Sequence, residues 1–195
     1  MDAGAYNFES FRDDIEDRVR RLNARLKKPD ATWPGVLFLD VPGGLEAQAF
    51  DVAGISEAEK HELASQTLPE FLLARGARRF CWAMPAWRTL AEGRRQECLI
   101  LIFGERGHCE VAIAVVVRNP DLPPRLGPWE RAPFGAGTRR ASGLFVDPLL
   151  EAISSAPQVS TRTATPMRSR SYTSSAAPSS SSRRSSRTAT ATHRS

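Results

Sequence analysis

ECLILIFGERGHCEVAIAVVVR, residues 97–118, is the stretch on which the fold turns. Two apolar, largely β-branched runs flank Gly104-Glu105-Arg106-Gly107, and runs of this length broken by glycine read as one β-hairpin. Counting back from that loop pairs Phe103 with His108, Leu101 with Glu110 and Leu99 with Ala112. Successive strand residues point to opposite sides, so the pairing sorts the side chains into two faces. One face carries Cys98, Ile100, Ile102, Cys109, Val111, Ile113, Val115 and Val117 and is the expected core. The other carries Leu99, Leu101, Phe103, Ala112, Ala114 and Val116, with His108 and Glu110 near the turn. It is too apolar to face water, and the candidate covers are the segment 119–133, a C-terminal helix, or another protein chain.

Upstream of the hairpin, Phe8, Phe11, Ile15, Val19, Leu22 and Leu26 recur every three or four residues, which predicts an amphipathic helix over 7–27. Asp14 with Arg18, Glu16 with Arg20 and Asp17 with Arg21 form one-turn pairs on its polar side, and they account for most of a basic cluster that would otherwise suggest phosphate binding. Residues 36–41 and 45–52 read as two strands around Pro42-Gly43-Gly44. Ser56 and Glu59 form a capping box that opens a second helix, expected to run to Gly76 and to be kinked or split by Pro69. The alternation of Phe80, Trp82 and Met84 predicts a further strand.

Downstream, five prolines between Pro120 and Pro133 predict an extended, irregular surface segment anchored by Trp129. Asp147-Pro148 predicts the start of a short helix ending at Ile153. The expected fold is therefore α+β: a largely antiparallel sheet of about five strands, two main helices on one face, a short C-terminal helix and a disordered tail.

Composition marks that tail. Residues 154–195 hold 14 Ser, 7 Thr, 7 Arg and no acidic residue, whereas 1–153 hold 20 basic against 22 acidic residues. The excess positive charge thus belongs to 154–195, and a basic-protein reading of the domain 1–153 fails. So few apolar side chains cannot offset ordering entropy, which is why 154–195 is expected to be disordered. Out-of-frame translation of a GC-rich gene gives the same composition, and the 24 Arg against 3 Lys fit such a gene, so 154–195 need not have a function. No apolar run approaches the roughly 20 residues of a membrane-spanning helix, and the N-terminus lacks an export signal. A cytoplasmic location with no membrane partner is the expectation.

Catalytic signatures are sparse. His61 is expected on a solvated helix face, and His108 with Glu110 lack a third ligand at a recognisable spacing, so no metal or cofactor is expected. Cys81, Cys98 and Cys109 sit among apolar strand residues, where cysteine acts as a small hydrophobe. Gly135-Ala136-Gly137-Thr138-Arg139-Arg140 lacks the full phosphate-loop pattern and reads as a flexible loop. The leading expectation is a protein-interaction or regulatory module that binds itself, as a homodimer, or another protein. Its expected surface is Leu99, Leu101 and Phe103 with Trp129, Trp87, Arg78 and Arg79. The alternative is a nucleic-acid-associated protein using the Arg-rich tail and the Arg75–Arg95 region; an enzyme of unknown class comes third.

Overall fold

The computed structural model describes residues 6–133 and 136–156 and, outside 132–143, their side chains. The elements are α1 (Phe8–Asn23), β1 (Gly35–Val41), β2 (Gly44–Phe50), α2 (Glu57–Glu62), α3 (Leu68–Ala74), β3 (Arg79–Thr89), β4 (Arg95–Glu105), β5 (His108–Asn119), β6 (Leu122–Pro133) and α4 (Ala136–Ser155). The fold is α+β with one antiparallel sheet, ordered β2-β1-β3-β4-β5-β6. It has six strands rather than about five, because the proline-rich segment joins as β6. Prolines are tolerated there since β6 is an edge strand, where a missing N–H costs no ladder bond, and its pairing is broken by bulges opposite Ala114–Val116 and Val117–Asn119.

The β4–β5 hairpin forms two residues away from the expected register: Phe103 pairs with Glu110, Leu101 with Ala112 and Leu99 with Ala114. The turn is Arg106-Gly107, between the pair Glu105 and His108, because Gly107 supplies the positive φ of 76° that the tight turn needs. An even slip keeps every side chain on its own face. Cys98 accordingly lies opposite Val115 and Cys109 opposite Gly104.

The expectation of both main helices on one face is corrected. The π-helical turn Leu63–Thr67, α3 and α4 cover the first face, packing Ala64, Leu68, Leu72, Val146 and Leu149 on Leu37, Leu39, Phe80, Trp82, Ile102 and Val111. Helix α1 covers the second, placing Phe11, Ile15 and Val19 over Phe38, Cys81, Leu99, Leu101, Phe103 and Ala112. Both sheet faces are apolar, so each needs a helix, and burying each α1 anchor contributes about 1.5–3 kcal/mol.

Polar side chains fix how α1 lies. Glu16, nearly buried, accepts three hydrogen bonds from Arg131 at 2.7–3.1 Å, so the expected Glu16–Arg20 pair does not form, whereas Arg18–Asp14 and Arg21–Asp17 do. Freed from Glu16, Arg20 stacks over the Trp129 ring at 5.4 Å. Buried Asn23 accepts from Trp33 Nε1 at 3.0 Å and donates to the Pro124 carbonyl at 2.9 Å.

Proline acts as expected at one site and not at another. At Pro69 the helix is split: α2 gives way to the π-helical turn, and the Leu68 N–H reaches back to the Leu63 carbonyl. Gly76, at φ 59°, then ends α3. Helix α4, by contrast, begins at Ala136 and carries Pro148 inside it, so it is long and Asp147 is not its N-cap. The apolar stripe Phe145, Val146, Leu149, Ala152 and Ile153 that it buries against α3 and the sheet outweighs the lost N–H. Thus Ala136–Arg140 are helical rather than a loop, while Gly135 lies outside the described residues. The domain continues past Ile153 to Ala156, whose carbonyl accepts from Arg106 at 2.8 Å; the expected tail otherwise lies outside the described residues.

Candidate functional site

The apolar residues expected to form a binding surface are interior. Leu99, Leu101 and Phe103 are fully buried under α1, so the second face is covered by its own chain. Helix α1 was not among the candidate covers because its stripe reads the same whichever face it packs on. Trp129 is half-buried beneath Arg20, with its Nε1 buried and lacking a hydrogen-bond partner. Trp87 alone among the expected aromatics stands in solvent, 59% exposed, with the Arg95 guanidinium over its ring at 5.4 Å.

The arginines between 75 and 95 are largely committed to carboxylates. Arg75 pairs with Glu46 at 3.0 Å, Arg88 with Glu130 at 2.8 Å and Arg94 with Glu92 at 2.9 Å. Buried Asp40 takes Arg78 and Arg79 at 2.7 Å each, and Arg79 also reaches Glu105. Arg78 and Arg79 therefore compensate a buried charge, Arg79 from a largely buried position and Arg78 from one still 58% exposed. Arg20, Lys27 and Arg125 line a cleft of about 430 Å³ between the end of α1 and Pro123-Pro124. Arg20 is already engaged there, donating to the Gly127 carbonyl at 3.2 Å.

The thiols are set for packing. Burial pushes Cys81 well above its ordinary pKa, with Glu16 adding repulsion; burial raises Cys98; and burial with Glu110 and Asp147 pushes Cys109 up to about 12. All three are free and protonated at neutral pH, hence weak nucleophiles. His108 contacts Glu110 at 3.1 Å, but Glu110 also binds Arg12 and the imidazole rests edge-on against Phe8. Among the described residues no cluster of three metal-binding side chains forms. His61 is exposed on α2.

What remains is the backbone at the rim of the sheet. Strand β1 is paired on both sides, with β2 and with β3, which leaves β2 as an edge. Val41 pairs with Gly44 across Pro42-Gly43. Pro42 has no N–H, so that pair must be the one that exchanges both backbone bonds. Alternation then turns the N–H and C=O of Glu46, Gln48 and Phe50 toward β1, and those of Leu45, Ala47 and Ala49 outward. The Gln48 side chain meets one of these outward groups, donating to the Ala49 carbonyl at 2.9 Å. Ala47, Gln48 and Ala49 are exposed, and beside them lies a groove of about 210 Å³ lined by Leu37, Leu39, Phe71 and the Glu46–Arg75 pair. Sequence reasoning found strand β2 but not this open edge, since no residue in β2 says which strand lies beside it.

The opposite edge is closed. Pro123, Pro124, Pro128 and Pro133 remove four N–H groups from the twelve residues of β6, and its Pro124 and Gly127 carbonyls are taken by Asn23 and Arg20. Among the described residues no helix is long and apolar enough to cross a membrane. No protein-family model, curated protein or solved structure matches the chain.

Proposed function

We propose that this chain is a protein-interaction module that binds an extended segment by strand addition along β2. The observation that carries the reading is the asymmetry of the sheet: one edge interrupted by four prolines and tied to α1, the other proline-free and turning the backbone of Leu45, Ala47 and Ala49 outward. In strand addition the main chain supplies affinity, and pockets for alternate side chains supply specificity. The groove beside Phe71 suits one apolar side chain, and the Glu46–Arg75 pair gives it a polar rim.

A synthetic Thr-Val repeat peptide with one central leucine tests this. Its addition should slow amide exchange at Leu45, Ala47 and Ala49 and leave β6 unchanged. Fast exchange at those three amides under saturating peptide would remove the reading.

The nucleic-acid reading keeps one favourable observation, the exposed Trp87 with Arg95, which has no carboxylate partner among the described residues. An aromatic beside a free guanidinium is a stacking platform for a single-stranded base. Binding of an oligonucleotide that weakens steeply with salt and is lost in Trp87→Ala would favour it over strand addition.

A further inference from the structure

Resting on the strand-addition reading, we infer that the occupant of the β2 edge is a second copy of this chain, paired antiparallel about a two-fold axis through Ala47. Ala47 is the middle of the seven-residue strand Gly44–Phe50, so a two-fold there pairs every residue of β2 with its counterpart. It also brings outward-facing positions together: Ala47 meets Ala47 of the second copy, and Leu45 meets Ala49. Each such pair exchanges both backbone bonds, giving about six across the axis once the Gln48 side chain releases the Ala49 carbonyl.

The side chains accept this arrangement. Glu46, the one charged residue of β2, lies opposite Gln48 of the second copy rather than opposite another Glu46, and it keeps its own Arg75 partner at 3.0 Å. Like charges directly opposite would be repulsive, and this register avoids them. Phe50 lies opposite Gly44, the strand position with no side chain, so the largest residue meets the smallest. The same complementarity is built into the chain at Gly104, where a Cβ would come within 2.4 Å of the Phe80 ring on the neighbouring strand.

The assembly is self-limiting. Joining two β2 edges makes one continuous sheet whose two outer edges are both β6, with their prolines and their carbonyls held by α1. A third copy finds no open edge, so the contact closes as an isologous dimer instead of growing into a fibre.

The test uses the full chain. Light scattering over a wide concentration range should report twice the chain mass for the native protein and the chain mass for Ala47→Pro, which removes an outward N–H without touching the bond to β1. Ala47→Cys gives a second reading independent of that substitution. Paired residues in this register sit about 5.5 Å apart at Cα, inside the range of about 4.4–6.8 Å that a disulfide spans. Mild oxidation should therefore cross-link Ala47→Cys into a dimer, while Gln48→Cys and the native chain, with its three free thiols, stay uncross-linked. A native chain that stays monomeric, with no cross-link in Ala47→Cys, overturns the second copy as occupant. If the Thr-Val peptide still slows exchange at Leu45, Ala47 and Ala49, strand addition stands with a different partner; if it does not, both fall.

Discussion

The two edges of the sheet have met the same hazard in opposite ways. An unpaired strand is a template for another strand unless something blunts it. Strand β6 carries four prolines and two bulges, and the side chains of Asn23 and Arg20 occupy its Pro124 and Gly127 carbonyls. Strand β2 is proline-free and regular in register with β1, and of its outward-facing groups at Leu45, Ala47 and Ala49 the Ala49 carbonyl alone is met by a side chain, that of Gln48 at 2.9 Å. Among the described residues the contrast between the two edges is what the strand-addition proposal rests on.

Helix α1 is central to the closed edge, so the largest effect should come from unseating it. Phe11→Ala opens a cavity against Phe103 and Leu101 and should cost about 3–5 kcal/mol, measured by urea unfolding. Exchange at β6 should rise with it; a fully protected β6 would mean α1 is not what closes that edge. Asn23→Ala is the narrower cut. It strands the Trp33 N–H and the Pro124 carbonyl and should cost about 1–3 kcal/mol.

The open edge is sharpened by two neighbouring substitutions with unlike outcomes. Gln48→Pro removes a donor to β1 and should cost about 1–3 kcal/mol, whereas Ala47→Pro removes an outward donor and should stay within about 0.5 kcal/mol in the monomer. Equal costs would contradict the assigned phase of β2.

The smallest effect concerns the pair that ties β6 to β3. Arg88, by hydrogen bond and charge, holds the Glu130 carboxyl below its ordinary 4.5. A carboxyl depressed in the folded state adds stability that is fully present above 4.5 and fades as pH falls through the lowered value. Acidification should therefore narrow the gap between the native chain and Glu130→Gln, as read from their urea midpoints. Since Glu130 is exposed, a large gap at neutral pH would be unexpected.

Much of this architecture is legible in the residues themselves. The face assignments from 97–118 hold for Ile100, Ile102, Cys109, Val111 and Ile113 despite a register two residues out, because strand parity survives an even slip, but Val117, expected in the core, is 53% exposed beside the bulges of β6. The capping box at Ser56 and Glu59 and the break at Pro69 follow from local chemistry and form as read. Strand β6 was hidden because its prolines mask an edge strand as a loop. The length of α4 was hidden because Asp147-Pro148 mimics a helix start. Leu99, Leu101 and Phe103 are interior for a deeper reason: they look surplus until a helix about ninety residues away is laid on them, and nothing in the spacing of α1 names its target face. The open edge is a property of strand order, which becomes visible only once β1 is seen between β2 and β3.

Amide exchange along β2, followed as the protein is diluted, tests the central claim most directly. The account predicts that Glu46, Gln48 and Phe50 stay protected at every concentration, while Leu45, Ala47 and Ala49 are slow when concentrated and fast when dilute. Slow exchange at all six residues in a chain that light scattering reports as monomeric would mean that the edge is closed by its own chain, and the contrast between the two edges would be gone.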